Sequence, residues 1–222
     1  MTQIKSLYMS MALFLSVVVT YAQEKFPVVQ NPPVSMEAFG GNRAFAYQLI
    51  LNKKMQSVPK LGFFSVTNFQ TTSWKSSKMN DYMIQGNLSY NFAKRLDVTA
   101  GFLWNPVDGI RPSAGLLYSY GTRDLLALAN LRTDLTKRAN TDILTLVEYK
   151  PKVTDKLNLY TRFQGLYTYN FANDFHTRSY IMLRAGLTYK DLSFGVANNF
   201  DFYGPNRVYE NNLGAFVMIN LF

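Results

Sequence analysis

From Arg43 to its end this chain is written in short segments whose side chains alternate apolar and polar with a period of two. Successive side chains on a β-strand point to opposite faces, so this period predicts strands with one apolar face and one polar face. In Tyr82–Phe92 one face carries Tyr82, Ile84, Leu88, Tyr90 and Phe92, and the other carries Met83, Gln85, Asn87, Ser89 and Asn91. Leu96–Trp104, Leu157–Tyr169, Ser179–Tyr189 and Leu192–Phe202 obey the same rule. Ile110–Tyr120, Leu125–Thr133, Thr141–Tyr149 and Leu213–Phe222 obey it less cleanly, and Arg43–Asn52 and Leu61–Gln70 least. No segment of comparable length follows the helical period of 3.6.

Apart from Pro112, the prolines fall in the N-terminal arm or between the expected strands, as a residue that breaks the ladder should. Each strand is about 9–12 residues long, the length that crosses a bilayer at a tilt. A two-sheet sandwich also alternates, so alternation alone does not choose between the two folds. The position of the aromatics favours a barrel. Tyr90, Phe92, Tyr118, Tyr120, Tyr149 and Tyr189 gather at one end of the apolar face, and Tyr82, Trp104, Tyr167, Tyr169, Phe200 and Phe202 at the other. Two aromatic belts flanking an apolar band match the two water–lipid boundaries of a membrane. The fold expected is an all-β, antiparallel, up-and-down transmembrane barrel of about twelve strands, Val34–Gly40 being the first, or about ten if the weak N-terminal pair stays out of the wall.

The N-terminus reads as an address. Residues 1–22 read as a secretory signal peptide: Lys5 supplies the positive start, an apolar run follows from Met9 to Val19, and Thr20 and Ala22 are the small residues before a cleavage point. Residues 23–35 are polar and contain Pro27, Pro32 and Pro33; they are expected to form an extended periplasmic arm, with the barrel occupying residues 36–222.

The expected turns alternate short and long. The longer ones fall at Thr71–Asp81, Asn105–Gly109, Leu135–Asn140, Asn170–His176 and Gly204–Glu210, and membrane barrels keep their longer loops outside the cell. The opposite, periplasmic rim then collects Lys53, Lys54, Lys94, Arg95, Arg123, Lys150, Lys152, Lys156 and Lys190, and with them most of the formal net charge of +9. This rim either meets lipid phosphates or docks an acidic periplasmic partner. The polar face of the strands carries Arg111, Arg132, Arg162, Arg178, Arg184, Asp97, Glu148 and Gln164. A charge facing lipid at mid-depth costs about 2–4 kcal/mol, so these residues are expected to line the lumen. They either favour anions in a pore or fork onto one another as a plug.

Little else invites chemistry. The chain has no Cys and a single His, His176, which excludes disulfides, thiol nucleophiles and Cys/His zinc sites within it. No phosphate loop, nucleophile elbow or calcium loop is present. No catalytic residue, metal or other cofactor is expected. A Tyr- and Phe-rich composition with 17% charged residues, below the usual ~25%, fits a wall that meets lipid.

Leader, alternation, aromatic belts and the terminal Phe222 together resemble the small outer-membrane β-barrels of Gram-negative bacteria. The resemblance implies an outer-membrane location, contact with outer-membrane lipid, and Phe222 as a signal to the barrel-assembly machinery, although Asn220 stands where that signal usually has an apolar residue. Basic charge on an exported barrel does not imply nucleic acid. Two functions remain. One is a non-enzymatic accessory or structural subunit of an outer-membrane assembly or secretion complex, held to other outer-membrane or periplasmic proteins. The other is a small porin-like diffusion channel with an Arg-lined lumen.

Overall fold

A computed structural model describes residues 31–74, 76–137 and 139–221, without the side chains of 72 and 76–80. The leader (1–22), most of the arm (23–30) and Phe222 lie outside the described residues. The described chain forms twelve strands: β1 (Val34–Gly41), β2 (Phe45–Lys54), β3 (Leu61–Ser73), β4 (Ser76–Ala93), β5 (Leu96–Asn105), β6 (Gly109–Gly121), β7 (Leu125–Asp134), β8 (Asn140–Tyr149), β9 (Leu157–Asn170), β10 (Phe175–Tyr189), β11 (Leu192–Tyr203) and β12 (Val208–Leu221). Each pairs antiparallel with its neighbours in sequence, and β1 pairs with β12 from Val34↔Leu221 to Gly41↔Gly214. The sheet therefore closes on itself, leaving no edge strand among the described residues.

Closure recruits the weak N-terminal pair, which settles the strand count at twelve. It also moves one expected boundary. The wall begins at Val34, not Met36, because Ser35 already faces inward and its hydroxyl donates to the Asn220 side chain at 2.9 Å.

The two rims differ from expectation. Residues 71–81 are not a long loop: β3 and β4 continue as a ladder to Ser73 and Ser76. Likewise β10 begins at Phe175 and β12 at Val208, inside segments expected to be loops. The longest turns, 55–60 and 150–156, lie instead on the rim that carries the ends of β1 and β12, called here the terminal rim. Beyond the lipid both faces of a strand meet water, so alternation fades although pairing continues. Loop length consequently gives no orientation.

Faces follow the alternation closely. Val98, Phe102, Trp104, Leu116, Tyr118, Ile143, Tyr149, Phe163, Leu183, Tyr189 and Val217 are exposed on the outer wall. Part of one aromatic belt is a continuous ring row: Tyr47–Phe69, Phe69–Tyr82 and Tyr82–Trp104 centroids lie 6.2, 6.4 and 5.2 Å apart. Inward-facing glycines let neighbouring strands curl sharply. Gly186 and Gly195 are register partners, and a Cβ on them would lie 2.0 Å from the Phe194 carbonyl oxygen and 2.2 Å from that of Ala185.

Candidate functional site

The lumen is where charged residues converge, and its two halves are built differently. Strands β2 to β8 send apolar side chains inward: Ile50, Phe64, Val66, Met83, Leu103, Leu117, Leu128, Leu144 and Leu146 pack with Leu166, Tyr180 and Met182 into one buried cluster. The Gln85 amide crosses this half to donate to the Asn130 side chain at 2.8 Å, joining strands that are not neighbours in the wall.

The other half centres on Glu37 of β1, which is 3% exposed. Its carboxylate accepts from Arg162 Nη2 at 2.6 Å and from Arg184 Nη2 at 2.7 Å and Nε at 3.0 Å. Arg184 also donates to the Asn199 side chain at 2.8 Å and lies over the Phe39 ring, 4.9 Å from its centroid. Phe39, Tyr160, Ala197, Phe216 and Met218 pack around this triad. Two guanidiniums sharing one buried carboxylate are held by charge-assisted bonds, which are the strong ones. Because Glu37 is on β1 and its partners are on β9 and β10, the triad reaches across the lumen beside the β1–β12 seam.

Ion pairs stand at both mouths. At the end opposite the terminal rim, Arg132 Nη1 meets Asp134 at 2.6 Å and Arg132 Nε meets Asp142 at 2.9 Å. Arg111 bridges Asp134 at 2.7 Å and Asp108 at 2.8 Å. Nearby, Arg178 pairs with Asp81 at 2.7 Å and Asp201 at 3.0 Å, and the Tyr203 hydroxyl donates to Asp81 at 2.9 Å. At the terminal rim Asp97 accepts from Lys54 and, at 2.8 Å, from Asn91. There too Glu148 takes Lys150 at 2.8 Å and the Tyr160 hydroxyl at 3.0 Å.

The residues expected to line the lumen thus all face inward: Arg111, Arg132, Arg162, Arg184, Asp97, Glu148 and Gln164 are buried and Arg178 is half-buried. The structure does not gather them into one site. The charged ones divide into the triad, two clusters at the far mouth and two at the terminal mouth, while the Gln164 amide donates to the Tyr180 hydroxyl at 3.1 Å. Each of the five arginines meets a carboxylate.

The expected basic rim needs one correction. Lys54 and Lys150 turn into the mouth and pair with Asp97 and Glu148, because an inward-facing carboxylate so close to the rim draws the nearest cation to it. The others stay at the terminal rim. Arg95 lies over the Tyr120 ring at 4.3 Å, Lys190 over Tyr189 at 5.5 Å, and Lys152 pairs with Asp155 at 2.7 Å. Lys53 is the last residue but one of β2 there, and Lys94, Arg123 and Lys156 sit exposed in the turns.

Two groups escaped the sequence reading. Glu37 lies in a strand of only 8 residues, and its alternation with Ser35 and Phe39 is the signal that it faces inward. The apolar plug was invisible because an apolar lumen residue looks like a lapse in the pattern. His176 is structural: a register shift beside it pairs it with Tyr169, its Nδ1 lies 2.7 Å from the Gly204 carbonyl, and its Nε2 lies 3.0 Å from the Ser179 hydroxyl. With both nitrogens engaged, it ties the β11–β12 turn to β10.

No family model matches this chain, and no curated protein matches it. Among solved structures it is similar to the NanC porin, at 14% identity and a TM-score of 0.46, over 86% of this chain and 100% of that one. It is also similar to OccD3 of Pseudomonas aeruginosa (11%, TM-score 0.39, 85% of this chain and 63% of that one). OmpT of Vibrio cholerae is a third (10%, TM-score 0.37, 79% and 64%). All three are outer-membrane barrels. The chain is a closed twelve-stranded antiparallel β-barrel with an apolar outer wall and a lumen packed by its own side chains.

Proposed function

We propose that this protein is a non-conducting, non-enzymatic barrel of the bacterial outer membrane that serves as an accessory or structural subunit of a membrane protein complex. One observation carries the reading: among the described residues, every strand sends buried side chains into the lumen. At mid-barrel apolar side chains pack the β2–β8 side and the Glu37–Arg162–Arg184 triad the seam side, and ion pairs stand at both mouths. A polar cavity inside, lined by Glu37, Gln48, Arg184 and Asn199 among others, measures about 20 Å³. That is room for about one water molecule, not for a file of ions. A narrow barrel filled by side chains is a solid post whose usable surfaces are its outer wall and its rims.

The alternative, a small porin-like channel, requires lumen arginines free to attract anions. Here each is committed to a carboxylate, and a buried guanidinium does not leave its partner cheaply. Planar-bilayer recording of the purified protein separates the two readings. The expected result is no steady conductance; an ohmic, anion-selective current overturns the proposal. Mild detergent extraction from native membranes, followed by identification of co-purifying proteins, tests the subunit role. A stoichiometric partner is expected, and a solitary barrel counts against it.

A further inference from the structure

The outer wall of a membrane barrel is usually convex and evenly studded. Here it is notched. Between β8 and β12 a hollow of about 480 Å³ is lined by Val147, Tyr149, Phe163, Leu183, Val196 and Leu213. Its middle is Thr161 and Ala185, small side chains that are register partners on β9 and β10. Packed apolar media leave few voids larger than a water, so in a bilayer this hollow must be filled.

The same two strands carry a pair of cations at the terminal rim. Leu157 and Tyr189 are partners, which puts the adjoining Lys156 and Lys190 side by side at the ends of β9 and β10. Both lysines are exposed, and the Lys190 ammonium lies over the outward Tyr189 ring. The other charges of this corner are mostly spoken for: Lys150 takes Glu148 and Lys152 takes Asp155. Asp191 is the remaining acid, against two lysines.

Depth connects the two features. From Lys190 to Ala185 is five residues, about 17 Å along the strand. At a tilt of ~45° that is a depth of ~12 Å, most of the ~15 Å of hydrocarbon in one leaflet. A chain whose headgroup sits at the lysines therefore ends in the hollow.

We propose that this corner holds one anionic glycerophospholipid, its phosphate between Lys156 and Lys190 and the end of an acyl chain in the hollow over Thr161 and Ala185. The site needs only that the barrel lies in a bilayer, so it stands or falls separately from the subunit role.

The test is native mass spectrometry of the intact barrel released from nanodiscs of equal phosphatidylglycerol and phosphatidylcholine. The barrel is expected to retain one phosphatidylglycerol in preference to phosphatidylcholine. A cation near an anionic headgroup favours it by about fivefold, so Lys156→Gln with Lys190→Gln should bring the ratio close to one. Ala185→Leu fills the hollow and should reduce retention of both lipids. All three side chains lie outside the packed lumen, and resistance of the folded band to unheated dodecyl sulfate checks that the variants fold. Equal retention of the two lipids by the unaltered barrel overturns the proposal. So does a preference that survives loss of both lysines, or full retention by Ala185→Leu.

Discussion

The two halves of the lumen solve one problem in opposite ways. Between the ion pairs of the two mouths, the interior around β2 to β8 is packed by Phe64, Val66, Leu103, Leu117, Leu144 and Leu146, which need no partners and tolerate small shifts. Beside the β1–β12 seam it is filled by Glu37, Arg162 and Arg184, which fit only one another. The apolar half follows long runs of local hairpins, whose register each turn fixes. The charged half stands where the first strand must find the last, with no turn to guide it. A carboxylate that matches two arginines in one alignment is a means of setting that register, because a slip of one residue would turn Glu37 toward lipid.

Stability measurements can break this contrast. The largest effect is expected from Glu37→Ala, which leaves two buried guanidiniums without their carboxylate and should cost about 3–5 kcal/mol in urea unfolding. Replacing all three members, as Glu37→Leu with Arg162→Met and Arg184→Leu, should recover most of that loss. If the single change is as mild as the triple, the triad is not a mutually dependent unit.

Next comes the apolar half. Leu117 is fully buried, and Leu117→Ala should cost about 2–5 kcal/mol through lost burial and the cavity left behind. The bilayer current should stay at zero, because surrounding side chains still plug the lumen. A Leu117→Ala channel would show that this half, and not the triad, keeps the barrel closed. The smallest effect belongs to the far rim. Arg43 and Glu210 meet at 2.6 Å, but their side chains are 27% and 36% exposed. Arg43→Ala should change stability by about 0.2–1 kcal/mol, reduced further by salt. A loss as large as that of Glu37→Ala would mean that the rim pins the seam.

Much of the wall was legible because lipid imposes a strict rule on one face. The ends of Leu96–Trp104, Leu157–Tyr169 and Leu192–Phe202 fall within one residue of those of β5, β9 and β11, and the inward arginines follow from the same parity. The strands that read poorly teach more. Arg43–Asn52, Leu61–Gln70, Ile110–Tyr120, Leu125–Thr133 and Thr141–Tyr149 are the ones that send Ile50, Phe64, Val66, Leu117, Leu128, Leu144 and Leu146 inward. A strand buried on both faces loses its alternation. The weak signal on these five strands is their share of the plug.

The sequence alone determined that the chain is a strand-built wall with aromatic belts, inward charges and a cationic rim, since period-two patterning and the cost of charge in lipid are local rules. Only the tertiary structure decided that β1 closes the barrel, that Glu37 joins Arg162 and Arg184, that Lys54 and Lys150 turn inward, and that the lumen is filled. Each of these depends on contacts between residues far apart in sequence, and closure of the sheet is what brings them within reach.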